Sequence, residues 1–117
     1  MHLTRSNEAK QATVSHDSWL TKSVLDGCRG HILQVSTTQI PLGQSTKPHI
    51  HPDAFEYYFC LSGCLDIYVG DERCAIETGD LLVVEPGEIH SIANRSDEIV
   101  ELFYFLVLAP SESTEPT

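Results

Sequence analysis

His49 and His51 stand two apart near the middle of the 117-residue chain, with Glu56 following a Pro52-Asp53-Ala54-Phe55 connection and His90 lying beyond a Pro86–Gly87 turn. Side chains two apart on an extended segment share one face, so both imidazoles of the first pair can converge on one point. Three imidazoles and one carboxylate brought together make a site for Fe(II), Mn(II), Ni(II) or Zn(II). Four protein ligands leave open positions on a five- or six-coordinate ion, and an open position is where a small molecule can be polarised or activated. Taken singly, His49 and His51 equally fit a solvated pair on a rim, and His90 fits a hydrogen-bonded core imidazole.

The elements that must position these residues read as strands. Short apolar or alternating runs are broken by turn-forming residues at Gly27, Gly30, Pro41 to Gly43, Pro48, Pro52, Gly63, Gly70, Gly79, Pro86 to Gly87 and Asn94 to Asp97. This rhythm predicts an all-β sandwich or barrel with strands over 19–25, 31–40, 49–51, 56–61, 65–69, 74–78, 81–85, 90–93 and 99–108. No stretch carries a helical period long enough for a helix. Leu65, Ile67 and Val69 alternate with polar neighbours and are expected to face a core. The run from Ile99 to Leu108 is apolar on both faces, so its second face must meet another layer or another chain, and a homodimer is the economical answer. Residues 1–17 are polar and aperiodic and are expected to form a flexible arm, residues 18–109 the barrel, and residues 110–117, Pro-, Ser- and Glu-rich, a disordered acidic tail.

Composition excludes several classes. Seventeen acidic against seven basic residues leave a formal charge of −10, which opposes binding to nucleic-acid phosphates or anionic leaflets. The longest apolar run, Leu102 to Ala109, is far shorter than the roughly 18 residues that suggest a spanning helix. The N-terminal residues lack the apolar core of a secretory signal, so a cytoplasmic location is expected. Cys28, Cys60, Cys64 and Cys74 match no zinc or redox spacing, and Cys28 and Cys74 read as small core hydrophobes.

The spacing Gly43-x5-His49-x-His51-x4-Glu56-x6-Gly63 resembles the first motif of the cupin superfamily at every defined position. The second cupin motif is met by Gly79, Gly87, His90 and Asn94, while Glu85 stands where that motif has proline and Pro86 follows it. Fifteen residues, Cys64 to Thr78, separate the two, as in small microbial cupins. The resemblance implies a single-domain barrel of the double-stranded β-helix or jelly-roll type. It also implies one divalent first-row transition metal inside it, bound by His49, His51, Glu56 and His90.

If Glu56 faces the metal, strand parity turns Tyr58 and Cys60 the same way and Tyr57, Phe59 and Leu61 the other. Tyr58 is then a candidate proton or hydrogen-bond donor to a bound molecule, or simply fills space. Cys60 is either packing or a thiol whose pKa a nearby cation lowers. Glu85 is either a surface carboxylate or, if it points to the barrel mouth, a general base. Ile92 and Asn94 should share the side of His90, and Cys74 that of Ile76. Beyond Pro48 there is no lysine, and arginine occurs only at Arg73 and Arg95. Only Lys47 and Arg29 therefore join the metal as candidate cations for a ligand, and a neutral or singly charged small molecule fits best. The expected activity is an oxygenase-type or other metal-assisted conversion. A Lewis-acid isomerase or lyase, or a non-catalytic sensor or carrier, stand as alternatives.

Overall fold

A computed structural model describes residues 1–14 and 17–110, the side chain of Ser18 excepted. After one 3-10 turn at Ser6–Glu8 the chain forms β1 (Lys10–Val14), β2 (Asp17–Leu25), β3 (Ile32–Ile40), β4 (Ala54–Ser62), β5 (Cys64–Val69), β6 (Glu72–Glu77), β7 (Leu81–Val84), β8 (His90–Ala93) and β9 (Val100–Leu108). These make a six-stranded sheet in the order β1-β2-β3-β9-β4-β7 and a three-stranded sheet in the order β6-β5-β8. Every pairing among the named strands is antiparallel.

Side-chain alternation explains why the two sheets pack. On β4, Ala54, Glu56, Tyr58 and Cys60 are buried while Phe55, Tyr57 and Phe59 are half-buried on the other face. On β9, Val100, Leu102 and Tyr104 turn inward. From the small sheet Leu65, Ile67, Ile76 and Ile92 meet them, with Leu20, Ile40 and Val84, in one apolar core. Removing such aliphatic side chains from water contributes about 1.5–3 kcal/mol each, and it is the inward face of each strand that supplies them. Val69 and Cys74 pack against the edge of the same core, as alternation predicts.

Among the described residues the two sheets are not joined into one continuously hydrogen-bonded barrel. They face one another as a jelly roll, and isolated bridges Ser45↔Ala93 and His49↔His90 tie the segment after β3 to β8. Of His49 to His51, expected as a strand, His49 alone accordingly forms a bridge. At the N-terminus, where a flexible arm is expected, Lys10–Val14 pairs along β2 from Lys10↔Val24 to Val14↔Asp17. Only Ala12 and Val14 give β1 an apolar side, too few for a periodic signal. The expected acidic tail lies, beyond Pro110, outside the described residues. Among the described residues no helix is long and apolar enough to cross a membrane.

Asp66 is buried on β5 although it alternates with apolar neighbours. Arg73 Nη2 at 3.0 Å and Arg95 Nε at 3.6 Å meet its two carboxylate oxygens, so the two arginines are committed to structure.

Candidate metal centre

Glu56 sits on the inner face of β4 with 4% of its surface exposed. Around it stand His49 Nε2 at 3.8 Å and His90 Nε2 at 2.7 Å from Oε1, and His51 Nε2 at 3.7 Å from Oε2. The ligand atoms of the four residues all lie within 4.8 Å of one another.

Backbone pairing brings these residues together from distant parts of the chain. His49 and His90 exchange both N–H···O=C bonds at 2.9 Å, which sets their rings 4.1 Å apart. The Gly87 N–H donates to the His51 carbonyl at 3.0 Å and fastens the turn before His90 to the first histidine pair. The Gly87 φ of +84° lies in the left-handed region, where glycine carries no Cβ penalty. At the entry to the His49 segment, the buried Asp17 carboxylate accepts the Lys47 N–H.

The ring orientations suit a cation. Nδ1 of His90 lies 2.9 Å from the Glu88 carbonyl and Nδ1 of His49 lies 3.2 Å from the Lys47 carbonyl, so each Nδ1–H donates to backbone and each Nε2 turns toward Glu56. With Nδ1 carrying the hydrogen, a lone pair on His90 Nε2 faces a carboxylate oxygen at 2.7 Å, and only a proton or a cation between them makes that contact favourable. Three borderline nitrogen donors and one hard oxygen therefore fit a divalent first-row ion, held by His49, His51, Glu56 and His90.

The cluster's charges are strongly coupled. Burial raises the pKa of the Glu56 carboxyl, but His49, His90 and Tyr58 as hydrogen-bonding neighbours and the charge of His51 outweigh it and hold the group well below the usual carboxylate range. Burial lowers the pKa of the His49 imidazole, and contact with Glu56, helped by Lys47 O and Asp17, reverses this to a net rise. The Tyr58 hydroxyl donates to Glu56 Oε1, and burial together with the Glu56 charge pushes its pKa far up, so the phenol keeps its proton. Tyr104 is raised by the same two causes.

A cavity of about 540 Å³ opens beside this cluster. Tyr58 lines it, as parity predicts, and so does Ile92. Cys60 is fully buried, and burial raises its thiol pKa, the reverse of a cation-activated nucleophile; its Sγ–H donates to the Gly63 carbonyl. Glu85 is exposed in the turn before His90, where its N–H donates to the Glu88 carboxylate, and it does not line the cavity. Asn94 is buried, yet it serves the fold: its amide donates to the Ile40 and Glu98 carbonyls. Lys47 and Arg29 are exposed and stay outside the cavity. Lys22 and Gln34, which sequence reasoning passes over, line it instead. The available signal was period two, which sets Lys22 on the face of Leu20 and Val24.

A family model described as "Cupin domain" matches residues 36–108, the span that carries all four candidate ligands. The chain belongs to the cupin family. Among this cupin's curated relatives, Tetracenomycin polyketide synthase protein TcmJ of Streptomyces glaucescens is 31% identical over 71 residues, covering 61% of this chain and 44% of that protein. The oxalate-binding protein of Thermotoga maritima is 30% identical over 70 residues, covering 60% of this chain and 58% of its own. The matched region thus spans about half the length of these curated relatives. Among solved structures, a Thermotoga maritima protein described as a predicted oxalate decarboxylase superposes with a TM-score of 0.80 at 23% identity, over 92% of this cupin and 99% of that chain. The cupin domain of Schizosaccharomyces pombe Cnp3 superposes at 0.72 with 18% identity, over 81% and 69%. These two likenesses show the fold. The second motif's departure, Glu85 in place of proline, affects only an exposed turn residue.

Proposed function

We propose that this cupin holds one first-row divalent metal on His49, His51, Glu56 and His90 and converts a small organic molecule bound beside it, by oxygenase-type or other metal-assisted chemistry. The observation that carries the proposal is the convergence of four ligand atoms within 4.8 Å, three of them on His49, His51 and Glu56 in the wall of a cavity large enough for a compact molecule. A bound divalent ion supplies Lewis acidity and, if redox-active, electrons. The protein's own part is to shield the reacting molecule between the apolar side chains of Leu20, Ile92 and Leu102, and to hold Glu56 in place through the Tyr58 hydroxyl, whose proton Glu56 Oε1 accepts.

The name of the oxalate-binding relative favours a second reading, in which the site only binds a small acid as a sensor or carrier. Loading the metal-free protein with Fe(II) or Zn(II) and following oxygen uptake over a panel of catechols, diketones and thiols separates the readings. Uptake with Fe(II) but not Zn(II) supports the oxygenase. Turnover with either metal and no uptake points to an isomerase or lyase. Saturable binding without turnover supports the carrier.

We further propose a homodimer in a reducing, cytoplasmic setting. The outer face of the large sheet supports the dimer: Tyr57 stacks on Phe105 at 4.6 Å, Phe103 adjoins it, and Leu61, Leu81 and Val83 are exposed around them. The four cysteines, all free thiols, suit a reducing compartment.

A further inference from the structure

Two of the chain's seven basic residues, Lys10 and Lys22, line the cavity whose wall includes His49, His51 and Glu56 of the His-Glu cluster. Lys22 is half-buried on the inner face of β2, and its Nζ donates to Gln34 Oε1 on β3 at 2.9 Å. Setting an ammonium on a wall shared with Leu20, Val24 and Leu102 costs desolvation, so the position calls for a compensating partner. The Gln34 carbonyl accepts from one of the three ammonium donors.

Strand register places Gln34, and through its hydrogen bond the Lys22 ammonium, relative to the cluster. Gln34 pairs with Leu106, and Leu106 pairs with Glu56, so Gln34 and Glu56 lie in one row across β3, β9 and β4. Two strand spacings of about 4.8 Å separate their backbones by about 10 Å, and side chains from both ends shorten the gap to the span of a small molecule. In a chain of net charge −10 an anion is repelled before it arrives. A divalent cation more than offsets Glu56, so Lys22 is not needed as a counter-charge there, and the cavity then carries surplus positive charge at both ends.

We propose that Lys22, held by Gln34, is the anion-binding group of the cavity and selects small organic acids. Oxygen donors at one end of the ligand meet the metal-binding cluster, and a carboxylate at the other end pairs with the ammonium. This rests on the metal-anchored reading above and narrows its ligand to carboxylate-bearing molecules.

The test uses protein loaded with Zn(II), which is redox-inert, and compares two probes by calorimetry. Catechol and 3,4-dihydroxybenzoate carry the same chelating oxygens, and only the second has a carboxylate on the far side of the ring. The wild type is expected to prefer 3,4-dihydroxybenzoate by tenfold or more, with the preference shrinking as salt rises. Lys22→Met should bind both probes equally, and Lys22→Arg should keep most of the preference. A preference that survives intact in Lys22→Met, or its absence from the wild type while catechol still binds, overturns the role of Lys22 alone. Failure of the wild type to bind either probe overturns the metal-anchored reading and this inference with it. Should Lys22→Met also lose catechol, a wild-type preference insensitive to salt, or lost in Lys22→Arg, overturns the proposal.

Discussion

Glu56 faces three imidazoles and a phenol from a nearly water-free position, and that crowding sets how the centre responds to pH. In the metal-free protein the Glu56 pKa lies below its ordinary value of 4.5, so its stabilising contribution is present above about that pH and is lost as pH falls toward the depressed value. The His49 pKa lies above its ordinary 6.5, so that contribution is complete below about 6.5 and is lost as pH rises through the elevated value. The pair therefore stabilises the metal-free fold most between these limits. A cation must displace the His49 proton, so lowering the pH from 8 to 6 is expected to weaken metal affinity by about tenfold per unit for each proton released. Titration against a competing chelator across that range measures it, and a flat profile would show that no ligand proton is exchanged.

At the scale of elements, the turns decide whether the ligand-bearing segments meet. Gly63 joins β4 to β5 with φ +103°, and a Cβ there would stand 3.1 Å from Val100 Cγ2 and 3.4 Å from the Ile99 carbonyl. Gly70, between β5 and β6, has φ +56° and open space around it. Gly63→Ala is expected to destabilise by about 1–3 kcal/mol and Gly70→Ala by less, because the first adds steric overlap to backbone strain. Urea unfolding of both variants checks the order, and equal losses would show that the β4–β5 contact relaxes without cost. Most of these elements were legible: β8 matches its expected span, and β3, β5 and β9 differ by one residue at one end. β1 was not, since two small inward side chains on an edge strand leave no pattern to read. Nor was the His49↔His90 bridge, because pairing between segments 41 positions apart depends on how the sheets face each other.

For the whole molecule, the question is what covers the second face of β9. Inside, Leu102 and Tyr104 help form the core; outside, Phe103 and Phe105 lie on a face shared with Tyr57 and Leu81. If two copies join by this face, Phe103→Asp is expected to shift sedimentation from dimer to monomer at micromolar protein while the circular dichroism of the sheets is kept. A wild type that sediments as a monomer would leave the aromatic face to another occupant.

The order of residues alone determined that the chain is a β protein resembling the cupins and singled out the four side chains that the fold brings together as candidate metal ligands. Both follow from local facts: alternation with period two, glycines at turns, and ligand types at fixed offsets. Tertiary structure decided what each inward position faces. It set Tyr58 against Glu56, sealed Cys60 in the core, left Glu85 in an exposed turn and turned Lys22 into the cavity. Parity says which residues share a face of a strand, but only the packing of one sheet against the other says whether that face meets water, core or ligand.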